Sequence, residues 1–178
     1  MLKQKNKLTV FEMVLFALLG AITFLSKFLM QALPNIHLVG MLIMSFTLVF
    51  RKKALIPLYI YVFLDWMFGG FSIWSVPNFY IWTVLWVATM LLPINMSKRK
   101  KYVVYPLICG LHGLLFGTMY ALFQAIMFGL NFKGTIAWII AGLPFDAIHG
   151  AGNLVLGFLI VPLSELLIKL NSSIVKKV

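Results

Sequence analysis

The chain has 178 residues, of which 62% are hydrophobic, and it carries four acidic residues against fifteen Lys and Arg. This composition is typical of membrane proteins and excludes an ordinary soluble domain. The net charge of +11 does not indicate nucleic-acid binding, because the basic residues cluster at the ends of apolar runs and form no basic face. A single cysteine, Cys109, excludes a disulfide or a cysteine-based metal site within the chain.

The first apolar run predicts a membrane-spanning helix over residues 10–33. Thr9 and Glu12 fit a capping box, so Glu12 is interpreted as a helix-start residue and not as a catalytic one. Ala17, Gly20 and Ala21 form a small-residue pattern that lets a second helix approach closely. That second helix belongs either to a partner subunit or to the same bundle. Lys27, nearer the far end of this span, either snorkels outward or faces a cavity.

Five further spans are predicted, over residues 36–50, 54–68, 80–96, 103–130 and 144–170. The apolar stretch 135–143 is too short to cross a bilayer and is expected at the membrane interface before the last span. The sequence therefore predicts an all-α integral membrane protein in which residues 1–178 form one six-helix transmembrane domain.

The basic residues predict the orientation of these spans. With six spans, the N-terminus, the loops at 51–53 and 98–101 and the C-terminus share one side of the membrane. Only Lys27 and Lys133 fall on the other side. The positive-inside rule therefore places both termini in the cytoplasm. The residues on the predicted cytoplasmic side are Lys3, Lys5, Lys7, Arg51, Lys52, Lys53, Lys98, Arg99, Lys100, Lys101, Lys169, Lys176 and Lys177.

Polar and aromatic side chains converge in the predicted outer half. Asp146, His149 and Asn153 are three and four residues apart, so they share one face of a helix that begins at Pro144. Ionisable residues within hydrocarbon indicate a functional site. The helical rise places Asp65 about 17 Å along its span. The candidate substrate-binding residues are Asp65, Trp74, Asn78, Tyr80, Trp82, Tyr120, Gln124, Asp146, His149 and Asn153.

These residues also have structural interpretations. Tryptophans near helix ends form interfacial belts, and buried amides such as Gln124 hold helices together. His112, beside two glycines, is interpreted as a packed residue bonded to a neighbouring backbone. Asp65 at a helix end is compatible with bonds to loop amides.

An enzyme is the less favoured class. Asp146 and His149 could hold a metal or orient a general base, but a catalytic metal site usually needs three protein ligands, and no catalytic or phosphate-binding motif is present. We therefore expect no cofactor and no metal. A proton-coupled carrier would need a polar relay to the cytoplasmic side, where Glu165 is the available acid. A binding pocket open on one side fits the pattern better than either an intramembrane enzyme or a carrier.

The chain resembles the substrate-binding (S) components of energy-coupling factor (ECF) transporters, and most of all a Firmicutes subgroup. The resemblance covers six spans with both termini inside, the Ala17-x-x-x-Ala21 motif and an outer pocket that ends with Gly152-Asn153. It implies that the chain lies in the cell membrane of a Gram-positive bacterium and captures a vitamin from outside. It further implies docking through Ala17 and Ala21 onto a coupling subunit that works with two ATPase subunits.

The resemblance has one departure and leaves the ligand open. The predicted connection between the first two spans is short, whereas several family members use a long loop there as a lid. Aromatic rings suit flat heterocycles and acids suit amine or amide donors. Cobalamin is the first expectation, followed by pyridoxine-type, pyrimidine and pantothenate ligands. The sequence also predicts that Asp146→Ala and Asn153→Ala weaken ligand retention in a protein that stays folded.

Overall fold

All regular secondary structure is helical in the part of the chain that the computed structural model describes, residues 8–175. Two short 3-10 turns, Arg51–Ala54 and Ile73–Ser75, accompany the α-helices, which confirms the predicted all-α class. The predicted cytoplasmic residues Lys3, Lys5, Lys7, Lys176 and Lys177 lie outside the described range. The α-helices are α1 (Val10–Leu29), α2 (Val39–Phe50), α3 (Leu55–Phe68), α4 (Asn78–Met90), α5 (Lys98–Leu114), α6 (Phe116–Phe128), α7 (Phe132–Gly157) and α8 (Ile160–Val175).

Helix α1 begins at the predicted capping box. The Thr9 hydroxyl accepts from the Glu12 N–H, and the Glu12 carboxylate accepts from the Thr9 N–H, both at 3.1 Å. The interpretation of Glu12 as a helix-start residue is therefore confirmed. The helix ends at Leu29 and not at Leu33; Pro34 disfavours helical backbone at Leu33. The connection to α2, residues 30–38, is consequently longer than predicted.

Helix α2 lies at the centre of the bundle. Its residues 39–47 are all buried, as expected for a helix that is apolar on every side. Helices α4 and α8 pack against it, and α1 packs along α3. The turn from α2 into α3 passes through Arg51, whose φ of 53° is in the left-handed region.

The last two predicted spans have different boundaries in the structure. The predicted span 103–130 is divided into α5 and α6 at Leu115. The stretch 135–143 is not a separate interfacial segment, because it belongs to α7, and Pro144 lies inside this helix and does not start it. Prolines are tolerated inside membrane helices when neighbouring groups satisfy the freed carbonyl. The predicted span 144–170 is divided between α7 and α8.

Polar contacts gather the basic segments at one end of the bundle, which we call the basic end. Lys53 forms an ion pair with Glu12 at the start of α1. The Arg51 guanidinium donates to the Met90 carbonyl at the end of α4, at 3.0 Å. Lys98 at the start of α5 lies 3.0 Å from the Glu165 carboxylate of α8. The described part of the predicted cytoplasmic set therefore shares one end, as the topology prediction requires.

Three helical stretches in the described chain are long and apolar enough to cross a membrane: Val10–Leu29, Lys98–Phe128 and Phe132–Gly157. This indicates a membrane protein. Helices α2, α3, α4 and α8 have 12, 14, 13 and 16 residues, shorter than the roughly 20 residues that cross the hydrocarbon core. The six-span topology and the cytoplasmic position of both termini therefore stay predictions.

Glycines allow α5 and α7 to pack closely. A Cβ atom at Gly157 would lie 2.6 Å from the Pro106 Cα, and one at Gly110 would lie 3.0 Å from the Leu154 Cβ. Small residues at such crossings favour helix association in lipid, where the hydrophobic effect contributes little.

Gly157→Ala is expected to destabilise the protein, whereas Gly142→Ala on the same helix is not. The Cβ at residue 157 would meet a backbone atom of α5, while a Cβ at residue 142 meets no described atom within 4 Å. Overpacking costs about 1–3 kcal/mol. The unfolding temperature of G157A in detergent should fall below that of the native chain, and that of G142A should not, because Ala favours a helix. Equal unfolding temperatures would contradict the close contact.

Candidate functional site

A cavity of about 590 Å³ opens at the end of the bundle opposite the basic end; we call it the aromatic cavity. Its walls are the last turns of α1 and α3, the connections that follow them, the first turns of α4 and parts of α6 and α7. Its volume lies in the range of pockets that bind drug-sized ligands. Six of the predicted binding residues line it: Asp65, Trp74, Asn78, Trp82, Tyr120 and His149.

A charged and polar group forms the rim of the aromatic cavity. The Lys27 ammonium donates to Asp65 Oδ1, and the Asn78 amide donates to Asp65 Oδ2 at 3.3 Å. Of the two alternatives for Lys27, the structure supports the cavity-facing one. The Asp65 side chain is 11% exposed and that of Lys27 is 36% exposed. Because the two charges compensate each other, the rim favours a ligand without a net charge.

Ring contacts connect all three histidines of the chain through Trp82 and Phe116, and two of them, His37 and His149, line the floor of the cavity. The His37 and His149 rings are 4.9 Å apart, and His149 lies 4.9 Å from the Phe116 ring. Trp82 lies 5.8 Å from His37 and 5.3 Å from His112. His112 is 6% exposed and bonds the main chain of α4 at 3.0 Å, so its interpretation as a packed residue is confirmed.

Polar atoms at this floor are buried without partners. His37 Nδ1, Trp82 Nε1 and His149 Nε2 form no hydrogen bond within the described residues. A buried polar group without a hydrogen bond costs roughly 1–3 kcal/mol by protein mutational data, so native proteins usually satisfy such groups with water or a ligand. Within residues 8–175, no three His, Cys, Asp or Glu side chains are grouped to hold a metal ion. The aromatic rings and unpartnered polar atoms of the floor together offer a ligand both stacking surfaces and hydrogen-bonding positions.

Asp146 does not line the aromatic cavity. Its Oδ1 accepts from the Gly117 N–H of α6 at 2.9 Å, and the residue is 6% exposed. A Cβ at Gly117 would lie 2.4 Å from Asp146 Oδ2. No hydrogen bond joins Asp146 to His149 in the described chain, so these two groups, one turn apart, contact different helices. Asp146 thus holds α7 against α6.

Asn153 is also placed between helices. It is 1% exposed and lies beside Gly40 of α2 and Gly113 of α5. A Cβ at Gly113 would be 2.8 Å from Asn153 Nδ2, and a Cβ at Gly40 would be 3.4 Å from both amide atoms. The side chain therefore fills a crossing of α2, α5 and α7.

Tyr80 and Gln124 are the other two predicted binding residues that do not line the cavity. The Tyr80 hydroxyl donates to the Met119 carbonyl of α6 at 2.8 Å. Gln124 is 3% exposed. The Tyr80 bond fits the alternative that this residue joins helices, whereas Gln124 Nε2 forms no hydrogen bond within the described residues.

Sequence reasoning missed several cavity residues. Gln31, Asn35, His37 and Ser75 line the cavity, yet none was a candidate. Three of them lie in the connection 30–38, where polar residues are ordinary. The one feature of the sequence that could have indicated this wall is His37, a histidine just before the long apolar run of α2.

The predicted docking residues occupy different environments. Ala17 is exposed and Ala21 is half-buried. A Cβ at Gly20 would lie 2.6 Å from Ile60 Cγ2 and 3.0 Å from the Pro57 carbonyl oxygen. Gly20 therefore serves the packing of α1 on α3, whereas Ala17 lies on the exposed surface of α1.

Asp146→Ala is expected to lower stability more than Asp146→Asn. Asparagine keeps an acceptor for the Gly117 N–H, whereas alanine leaves that donor unpaired, at about 1–3 kcal/mol. The unfolding temperature of ligand-free protein in detergent measures the difference. This expectation replaces the sequence-based one that D146A only weakens ligand retention. A D146A protein with the native unfolding temperature and lost binding would assign Asp146 to the ligand site instead.

Comparison with known proteins adds no family assignment. No family model matches the chain, and neither a curated protein nor a solved structure matches it. Function is consequently inferred from the chemistry of the aromatic cavity and from the arrangement of charges along the bundle.

Proposed function

We propose that the chain is the membrane-embedded substrate-binding subunit of an ECF-type importer. In this proposal the aromatic cavity faces the outside and captures a vitamin, which a coupling subunit and two ATPase subunits then help to deliver. The observation that carries the proposal is the cavity floor, where His37, Trp82 and His149 present buried polar atoms without partners among aromatic rings. A bound heterocycle would satisfy them.

The ligand we propose is small, planar and uncharged, of the pyridoxine or pyrimidine type. Flat rings stack on Trp82 and Phe116, and ring nitrogens and hydroxyls match the histidine and indole positions. The paired Lys27 and Asp65 do not favour an anion such as pantothenate. Cobalamin, the first expectation from the sequence, is a macrocycle much larger than the drug-sized ligands that a cavity of about 590 Å³ accommodates, so it would remain partly outside.

The closed lower side of the cavity supports a binding subunit over a carrier. Below the floor lies the fully buried centre of α2, residues 39–47. Met41, Ile43, Met44 and Phe46 of this segment are each at most 4% exposed. A proton-coupled carrier needs polar groups along a path to the opposite side. The two hydroxyls of this segment, those of Ser45 and Thr47, are already bonded to carbonyls of α2.

His149→Phe and His37→Phe are expected to weaken ligand binding by roughly three- to tenfold each, because a net hydrogen bond contributes about 0.5–1.5 kcal/mol. Phenylalanine keeps the ring and removes the nitrogen. Mass spectrometry of the small molecule that co-purifies identifies the ligand, and calorimetry with that compound measures its affinity.

Tyr80→Phe is the matched control for these variants. It removes a polar atom from a residue that lies outside the cavity lining, so its affinity should equal that of the native chain. If H149F and H37F bind as tightly as Y80F, the floor is not the ligand site.

Ala17→Trp is expected to leave ligand binding unchanged and to abolish transport by the assembled complex. Ala17 is exposed on α1, and a bulky indole there would block the close approach of a partner helix. Leu122→Trp on the exposed surface of α6 is the control and should transport normally. Unchanged transport in A17W would contradict docking through α1, and uptake by vesicles that contain this chain alone would favour a carrier.

A further inference from the structure

A second cavity, of about 160 Å³, lies at the basic end; we call it the basic pocket. It is formed by the end of α2, the segment 92–94 after α4, the beginning of α5 and the middle of α8. Two cationic residues line it, Arg51 and Lys101, together with the hydroxyl residues Tyr105 and Ser164. This pocket has no part in the proposed function.

Arg51 is held in place at this pocket. One guanidinium nitrogen donates to the Met90 carbonyl at 3.0 Å, and the Trp86 indole donates to the Arg51 carbonyl at 3.2 Å. A guanidinium has five N–H donors, so the bond to Met90 leaves most of them for a ligand. Arg51 and Lys101 are both half-buried, and charges in such positions are screened less than exposed ones.

The acidic residue of the pocket is already compensated. Both Glu165 carboxylate oxygens lie close to the Lys98 ammonium, at 3.0 and 3.1 Å. The charges of Arg51 and Lys101 are therefore not cancelled by Glu165, and the pocket as a whole is positive.

Ser164 gives the pocket a polar atom that needs a partner. The residue is 6% exposed, and its Oγ forms no hydrogen bond within the described chain. Serine hydroxyls inside helices commonly donate to the carbonyl four residues earlier, which Ser164 does not do. A hydroxyl together with a guanidinium and an ammonium is a donor set suited to a phosphate group.

The remaining walls are apolar and continue onto the lipid-facing surface. Leu48, Leu92 and Val161 line the pocket, and Leu91 and Ile94 beside it are 79% and 74% exposed. A free phosphate has no apolar part that could contact this surface, whereas a phospholipid places acyl chains next to its headgroup.

We propose that the basic pocket binds the phosphate of an anionic phospholipid. Basic pockets between membrane helices on the cytoplasmic side are suited to anionic headgroups. Residues of α2, α5 and α8 line the pocket, so a lipid bound there would contact all three helices and stabilise the basic end of the bundle.

Native mass spectrometry of the full chain in detergent tests this proposal with three probes: phosphatidylglycerol, phosphatidylcholine and inorganic phosphate. We expect phosphatidylglycerol adducts to exceed phosphatidylcholine adducts. Lys101→Gln should weaken them by roughly tenfold, the factor that corresponds to the loss of one hydrogen bond between a charged donor and the phosphate. Ser164→Ala should weaken them as well, without a change of charge.

Lys100→Gln is the matched control, because it makes the same charge change at an exposed neighbouring residue and should retain at least most of the adducts. Equal losses in K100Q and K101Q would overturn the pocket as the site. Equal binding of the two lipids would overturn the preference for an anionic headgroup. Adducts of inorganic phosphate that depend on Lys101 and displace phosphatidylglycerol would overturn the lipid as the source of the phosphate.

Discussion

A polar side chain inside an apolar bundle needs a hydrogen-bond partner, and this constraint acts on every helix of the described bundle. The hydroxyls of Thr23, Ser45, Thr47 and Thr89 donate to carbonyls of their own helices at 2.7–2.8 Å. Those bonds satisfy these four hydroxyls within α1, α2 and α4. Other buried polar atoms form no hydrogen bond within the described chain, and among them those of His37, Trp82 and His149 belong to residues that line the aromatic cavity. In the proposed function a bound ligand supplies their partner.

Residues on a single helix have different neighbours and therefore different roles. Asp146 and Asn153 of α7 are used at helix crossings, each against a glycine that leaves space for it. His149, between them in sequence, turns to the cavity. The bundle thus has a closely packed α5–α7 pair and two ends of opposite character: an aromatic end with compensated charges and a basic end with an excess of cations.

Much of this arrangement could be predicted from the sequence because it depends on local pattern. The capping box follows from Thr9 and Glu12, and the convergence of Asp65, Asn78 and Trp82 follows from helical rise and span order. The role of His112 could be predicted because it lies between two glycines. These features need only the chain near each residue and an approximate depth.

The rest depended on how helices pack against one another. Pro144 is a good helix-start residue by local rules, yet α7 runs through it. Asp146, His149 and Asn153 share one helix face, but the positions of α2, α5 and α6 determine which of them reaches the cavity. The spacing of residues along the sequence does not predict those positions. His37 lies in a connection, where an isolated polar residue has no periodicity to mark it.

The connection between α1 and α2 has a consequence for how this architecture diversifies. Met30, Gln31, Leu33, Pro34, Asn35, Ile36 and His37 all line the aromatic cavity, although none belongs to a helix. Substitutions there would alter recognition while leaving the helix crossings intact. Ligand specificity could therefore change by substitution within this short segment, or be engineered by exchanging it, while the packing of the helices stays the same.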